Sequence, residues 1–168
     1  MSVVVRRVEP ADYGEVARLT VAAYAADGQL AGENGYERVL ADVATRAAEG
    51  EVLVAADSQT GHLLGAVTFV LPGSRYAELA RDGEAEFRTL AVDPAAQRRG
   101  VARALVQACL DRAAALGCTA VVICFRDFSA AAPKLYEGFG FVREPERDWS
   151  PLPGVRLLAL RLSLRVPA

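Results

Sequence analysis

Leu90-Ala91-Val92-Asp93-Pro94-Ala95-Ala96-Gln97-Arg98-Arg99-Gly100-Val101-Ala102 joins the end of a strand to the start of a helix, and the reading of the whole chain turns on it. Glu86 to Val92 reads as a strand, and Pro94 closes it by biasing Asp93 away from helix. From Gly100 to Leu116, Val101, Leu105, Ala108, Cys109 and Ala113 fall on one helical face, and Gly117 caps the end. The first turn of a helix leaves backbone N–H groups unpaired, and its dipole favours negative charge. A phosphate fills both needs. Gly100 lets an anion approach the backbone, while Arg98 and Arg99 add charge-assisted donors. A glycine beside two solvated arginines would look the same. The stretch matches neither the phosphate loop of nucleotide hydrolases nor a dinucleotide fingerprint.

Outward from this junction, Thr119 to Phe125 is an apolar strand of the kind buried on both faces. Glu86 to Phe125 is therefore a right-handed parallel strand-helix-strand crossover. Upstream, Val3–Val8 is a strand, and Glu9-Pro10-Ala11-Asp12 opens a helix to about Ala25 with Val16, Leu19, Thr20 and Ala23 on its apolar face. Asp27–Gly35 is a loop, and Tyr36, Val39, Leu40, Val43 and Ala47 mark one second helix ended by Gly50. Glu51–Ala56 and Leu63–Leu71 form an antiparallel hairpin about Asp57–Gly61. Pro72–Gly83 is an excursion with a helical turn expected at Tyr76–Ala80. A short helix to Glu137, a strand from Phe141 and a last strand Val155–Leu164 complete the chain. The fold class is α/β, with a mixed, mostly antiparallel sheet.

The chain has 168 residues, 21 acids and 19 bases, for a net charge of −2. One domain over residues 1–168 is expected. No global basic field exists to hold nucleic acid or an anionic membrane surface. Charge interrupts every apolar stretch before membrane-spanning length, and Met1–Arg7 lacks the order of a signal peptide, so a cytoplasmic protein is expected. Cys109, Cys118 and Cys124 show no metal or redox spacing, and His62, the sole histidine, sits in a hairpin turn. No metal is expected.

Two motifs now stand together: Gln97-x-x-Gly100-x-Ala102, and Ser129-x-x-Ala132-x-x-Leu135-Tyr136-Glu137-x-x-Gly140-Phe141. At these residues the chain resembles the GNAT superfamily of N-acetyltransferases. That family's signature is Gln/Arg-x-x-Gly-x-Gly/Ala, followed by Asn-x-x-Ala-x-x-Leu-Tyr-Glu-x-x-Gly-Phe. The order of elements fits over nearly the whole chain. The resemblance implies a GNAT-like α/β (α+β) domain, with a six- to seven-stranded sheet and helices on both faces.

It also implies roles. Gln97 would open the pyrophosphate-binding loop for acetyl-CoA, with the amides of Arg98, Arg99, Gly100, Val101 and Ala102 as donors. The strand ending at Val92 would splay from Thr119–Phe125 and admit the pantetheine arm, which pairs with the backbone of Leu90, Ala91 and Val92. The Leu90 N–H would polarise the thioester carbonyl. Tyr136 matches a general acid for the departing thiolate. Glu86, four residues before Leu90 and hence expected on the same face, resembles a general base acting directly or through water. Ser129 replaces the usual asparagine, which alters or removes a contact to the arm. Cys124 lies near the expected thioester, without a histidine to activate it.

The resemblance places the acceptor, a small-molecule or peptide amine, between Asp27–Gly35, Pro72–Gly83 and the loop between the last two strands. Glu33, Glu144 and Asp148 are acids that would hold a cationic amine, and Trp149 would supply a wall. A catalytically silent fold that binds CoA as a sensor or interaction module is the alternative. Retention of Glu86 and Tyr136 favours the enzyme. Val155–Leu164 is apolar enough to permit a homodimer.

Overall fold

The computed structural model describes residues 2–30 and 35–164. Glu33, one of the acids expected at the acceptor, lies outside the described residues. The chain opens with β1 (Val3–Arg7) and a 3-10 turn (Pro10–Asp12) that leads into α1 (Tyr13–Ala26). Asp12 fixes that entry: its carboxylate accepts from the Glu9 N–H at 2.8 Å and from both terminal nitrogens of Arg6 at 2.8 and 3.1 Å.

The single helix expected after Gly35 is two, α2 (Tyr36–Ala41) and α3 (Val43–Glu49). Asp42 leaves helical geometry at ψ 71°, and its side chain caps α3 by accepting from the Thr45 amide and hydroxyl. Aspartate competes with the helix backbone in this way wherever a new N-terminus is available. The apolar spacing runs through the break, so periodicity alone does not reveal it.

Next come β2 (Glu51–Asp57), β3 (Leu63–Val70), β4 (Glu84–Val92), α4 (Val101–Ala115), β5 (Ala120–Arg126) and α5 (Ala131–Glu137). Two short strands, β6 (Val142–Arg143) and β7 (Trp149–Leu152), precede β8 (Val155–Ser163). They bring the sheet to eight strands, ordered β1-β2-β3-β4-β5-β8-β6 with β7 hairpinned onto β8. Trp149 therefore belongs to a strand, opposite Leu157, and not to a loop. Among the described residues only β4 and β5 pair in parallel, across the α4 crossover.

Helices cover both faces. Val101, Leu105, Cys109 and Ala113 of α4 pack on Val67, Phe69, Phe87, Val121 and Ile123 of the sheet. Val16 and Leu19 of α1 and Val43 of α3 pack on Val54, Ala66 and Ala91 from the other side. At Gly65 the α4 layer lies so close that a Cβ would stand 2.9 Å from Val101 Cγ1 and 3.1 Å from Leu105 Cδ1.

Tyr76–Ala80 forms no helix. The amides of Glu78, Leu79 and Ala80 turn instead toward one buried carboxylate, described below. His62 is exposed in its hairpin turn. Among the described residues, no helix is long and apolar enough to cross a membrane.

Candidate functional site

β4 and β5 share only three register positions, Glu84↔Ala120 to Glu86↔Val122. Beyond them β5 follows β8 as far as Arg126↔Leu157, while β4 follows β3 to Val92↔Gly65. The two strands diverge, and a gap opens between 87–92 and 123–126. A bulge drives the divergence: Ala66 faces Ala91 but Thr68 faces Arg88, so β4 carries one extra residue, and Thr89 sits at φ 54°. Bulges bend a strand and sharpen its twist. The Asp93 N–H donates to Leu64 of β3 at 2.8 Å. Because amides alternate along a strand, those of Val92 and Leu90 turn toward the gap.

The same bulge corrects one expectation. Phe87 and Leu90 both pack into the α4 cluster, so Glu86, adjacent to Phe87, points to the opposite face. Glu86 and Leu90 lie on opposite faces, because the inserted residue reverses the alternation on which four-residue spacing relies.

At its C-terminal end the gap meets the start of α4. Asp93 caps a 3-10 turn (Pro94–Ala96) by accepting from the Ala95 N–H at 3.0 Å, and Arg18 holds the same carboxylate at 2.6 Å. Gln97 then reaches back to the Val92 carbonyl at 3.5 Å. Arg98 at φ 65° and Gly100 at φ 75° turn the backbone into the helix. No side chain caps α4. Thr89 and Arg98 are the only non-glycine residues at positive φ among those described, and both border the gap. A Cβ at Gly100 would meet nothing within 4 Å, so the torsion and not crowding calls for glycine there. Val101 is buried in the core, and so offers its amide alone, whereas Gln97 and Arg98 are exposed.

Tyr136 lies on the α4 side. Its ring packs 5.6 Å from Phe141 and 6.1 Å from Phe87, and it is 6% exposed. Burial raises its phenol above the ordinary value, so the hydroxyl keeps its proton at neutral pH. Pro133 falls in the first turn of α5, where proline is tolerated. The Ser129 hydroxyl accepts from the Ala132 N–H at 3.3 Å, at the start of that helix.

On the opposite face Glu86 is enclosed, at 1% exposure. It accepts from the amides of Glu78 at 3.1 Å, Leu79 at 2.8 Å and Ala80 at 2.9 Å. Burial raises its pKa, against these three amides. Such a group holds the Glu78–Ala80 backbone in place, and the carboxylate has no direct access to an acceptor.

A second buried acid ties that segment to the last hairpin. Glu84 accepts from both terminal nitrogens of Arg147 at 2.8 and 3.0 Å and from Arg161 Nε at 3.1 Å. Arg147 also donates to the Leu79 carbonyl at 3.2 Å. Burial pushes Glu84 up, but Arg147, the Arg81 amide and Arg161 outweigh it and hold it at about 2. Asp148 pairs with Arg143 at 2.8 and 2.7 Å and accepts from the Ala159 N–H, which keeps it at about 2. Glu144 pairs with Arg147 at 3.1 Å. Glu144 and Asp148, expected as acceptor acids, are thus bound to arginines of their own hairpin.

Cys124, on this same face, is half-buried, and burial pushes its thiol up to about 11. It remains a thiol at neutral pH, and His62, the sole histidine, stands in an exposed hairpin turn and not beside it. The surrounding groups escaped the sequence reading. Arg88 lies over Tyr76 at 5.7 Å, Tyr24 meets Tyr36 at 6.0 Å, and Arg46 is buried beside them. They come from α1, α2, α3, β4 and the 72–83 segment, and no local spacing links them. A shallow cleft of about 460 Å³ at the far end of β2 and β3, lined by Glu49, Phe69, Leu71 and Arg112, gathers no comparable chemistry.

This geometry has known counterparts. Over 99% of the chain the fold matches the ribosomal-protein-S18-alanine N-acetyltransferase of Escherichia coli, with a TM-score of 0.72, 19% identity and 97% of that chain covered. A structure of histone acetyltransferase HPA2 and related acetyltransferase from Corynebacterium glutamicum matches with a TM-score of 0.75 and 23% identity, covering 99% of both chains. The structure of yncA from Salmonella typhimurium with its cofactor acetyl-CoA matches with a TM-score of 0.67 and 20% identity, covering 100% of this chain and 97% of that one. At these identities the likeness is one of fold. No curated protein matches the chain by sequence. The profile of the Acetyltransferase (GNAT) family does match, over residues 18–141, and with the splayed strands and the uncapped helix it shows that the chain belongs to that family.

Proposed function

We propose that this chain, as one N-acetyltransferase domain over residues 1–168, transfers an acetyl group from acetyl-CoA to an amine by direct attack in a ternary complex. The β4–β5 gap carries the reading: it exposes the Leu90 and Val92 amides and ends on the uncapped start of α4. Gln97 to Ala102 receive the pyrophosphate, and the pantetheine arm lies in the gap as an added strand. The amine attacks the thioester carbonyl, and the Leu90 N–H stabilises the oxyanion. As the tetrahedral intermediate collapses, Tyr136 gives its proton to the departing sulfur. Burial raises that phenol, and it raises the Cys109 thiol in the same core cluster too. Glu86 acts as a positioning residue, and the acceptor's proton leaves through water.

A panel of amines assayed by thiol release tests this reading, with turnover on at least one acceptor expected. Tyr136→Phe should lower kcat by roughly 100-fold or more while moving acetyl-CoA affinity far less. An unaltered rate removes Tyr136 from the mechanism. The enclosure of Glu86 favours a second reading, a CoA-binding sensor. Thermal stabilisation by acetyl-CoA without turnover on any amine would select it.

A further inference from the structure

On the acceptor side of the gap, guanidiniums outnumber the carboxylates able to answer them. Arg88 and Arg75 both lie over the Tyr76 ring, at 5.7 and 5.6 Å, and Arg126 stacks on Phe128 at 4.6 Å. Arg46 is 2% exposed, donates one hydrogen bond to the Val39 carbonyl at 2.8 Å, and has no partner for its Nε. Among the described residues no acid forms an ion pair with it. A buried guanidinium without a counter-charge is costly, so its presence calls for an anion nearby. Tyr24, Tyr76 and Tyr36 surround it electrostatically, and Tyr24 and Tyr36 lie close to Arg88 as well. Of the three acids near these arginines, Asp42 caps α3 by accepting from Thr45, Glu86 is occupied by three amides, and Glu78 reaches one nitrogen of Arg88 at 3.3 Å. That same nitrogen donates to the Tyr76 carbonyl at 2.9 Å. The rest of the Arg88 fork is uncommitted among the described residues.

We propose that the acceptor carries a carboxylate close to its amine, and that Arg88 binds this carboxylate between the tyrosines, with Arg46 behind it. The inference rests on the acetyl transfer set out above and names the class of its acceptor. Arg88 stands two residues before Leu90, across the bulge at Thr89. The Arg88 side chain is long enough to carry its guanidinium toward the thioester, so an α-amino acid, with amine and carboxylate on one carbon, presents the amine at Leu90 while its carboxylate meets the guanidinium. A planar fork is suited to a carboxylate, and a charge-assisted bond is shorter and stronger than a neutral one. A purely cationic polyamine would meet repulsion from the same arginines.

The test pairs each of several α-amino acids with its decarboxylated amine, for example phenylalanine with phenethylamine and leucine with isoamylamine, in the thiol-release assay. The carboxylate-bearing member should have a kcat/KM higher by on the order of 10- to 100-fold. Arg88→Gln should bring that ratio toward one, and Arg88→Lys should restore part of it. Equal rates within the pairs, or an Arg88→Gln loss shared equally by both members, would overturn the inference. Calorimetry of the CoA-bound wild-type protein with N-acetylphenylalanine and N-acetylphenethylamine decides the same point without turnover or a folded variant. Preference for the acid supports it, and equal affinity overturns it. Absence of thiol release with every amine would overturn the acetyltransferase reading alone.

Discussion

The two sides of the sheet at the β4–β5 gap are built by different means. On the α4 side the working parts are mostly backbone: amides turned outward at Leu90 and Val92, a bulge at Thr89, and a helix that starts without a cap at Gly100. On the other side they are side chains. Glu84, Glu86 and Arg88 of β4 meet Arg46, Arg147 and three tyrosines that come from other elements. Backbone devices tolerate substitution except where a torsion or a charge decides. A side-chain network fails when one member is removed.

The largest expected effect falls on the side-chain network. Arg147→Ala leaves Glu84 buried with only the Arg81 amide and the more distant Arg161, and should cost about 3–5 kcal/mol in chemical denaturation. A cost below about 1 kcal/mol would mean that this pair does not hold the hairpin against the 72–83 segment. Gly100→Glu comes next. Its Cβ has room, so folding should lose only about 1 kcal/mol through the positive φ, while the carboxylate at the helix start repels phosphate. Acetyl-CoA affinity by calorimetry should fall about 100-fold, or about 2.7 kcal/mol. Unchanged affinity would sink the phosphate-loop assignment and with it the backbone half of the contrast.

Acid should also act mainly on the side-chain region. Glu84 and Asp148 both titrate at about 2, below their ordinary values. A depressed carboxylate contributes stability that is fully present above its unfolded pKa and is lost as pH falls through the folded one. Melting temperature should hold from pH 7 to about 5 and decline between about 4.5 and 2. In Arg147→Ala the Glu84 contribution to that decline should shrink, and an identical acid profile would place it elsewhere. The smallest effect belongs to Ser129→Ala. Loss of the bond to the Ala132 amide should cost about 0.5–1 kcal/mol of stability, with little change in acetyl-CoA affinity. A tenfold loss of affinity would instead put that hydroxyl on the cofactor.

How far each region was legible follows from the same contrast. Pro94, Gly100 and the apolar repeat from Val101 to Ala113 are local marks. They locate the strand end, the helix start and the parallel crossover, because each constrains a torsion or a periodicity within a few residues. The break at Asp42 was hidden because apolar spacing continues across it. The opposite facing of Glu86 and Leu90 was hidden because a bulge arises from pairing with β3, which the strand's own residues do not announce. Glu144 and Asp148 read as free acids until the fold set Arg147 and Arg143 against them.

By itself, then, the sequence determined the family, the crossover and the start of α4 at Gly100. These depend on interactions between near neighbours in the chain. Only the tertiary structure decided which acids are already paired, which face Glu86 occupies, and which arginines gather on that face. Charge pairing and burial depend on distances between segments far apart in sequence, and these exist only once the sheet has formed.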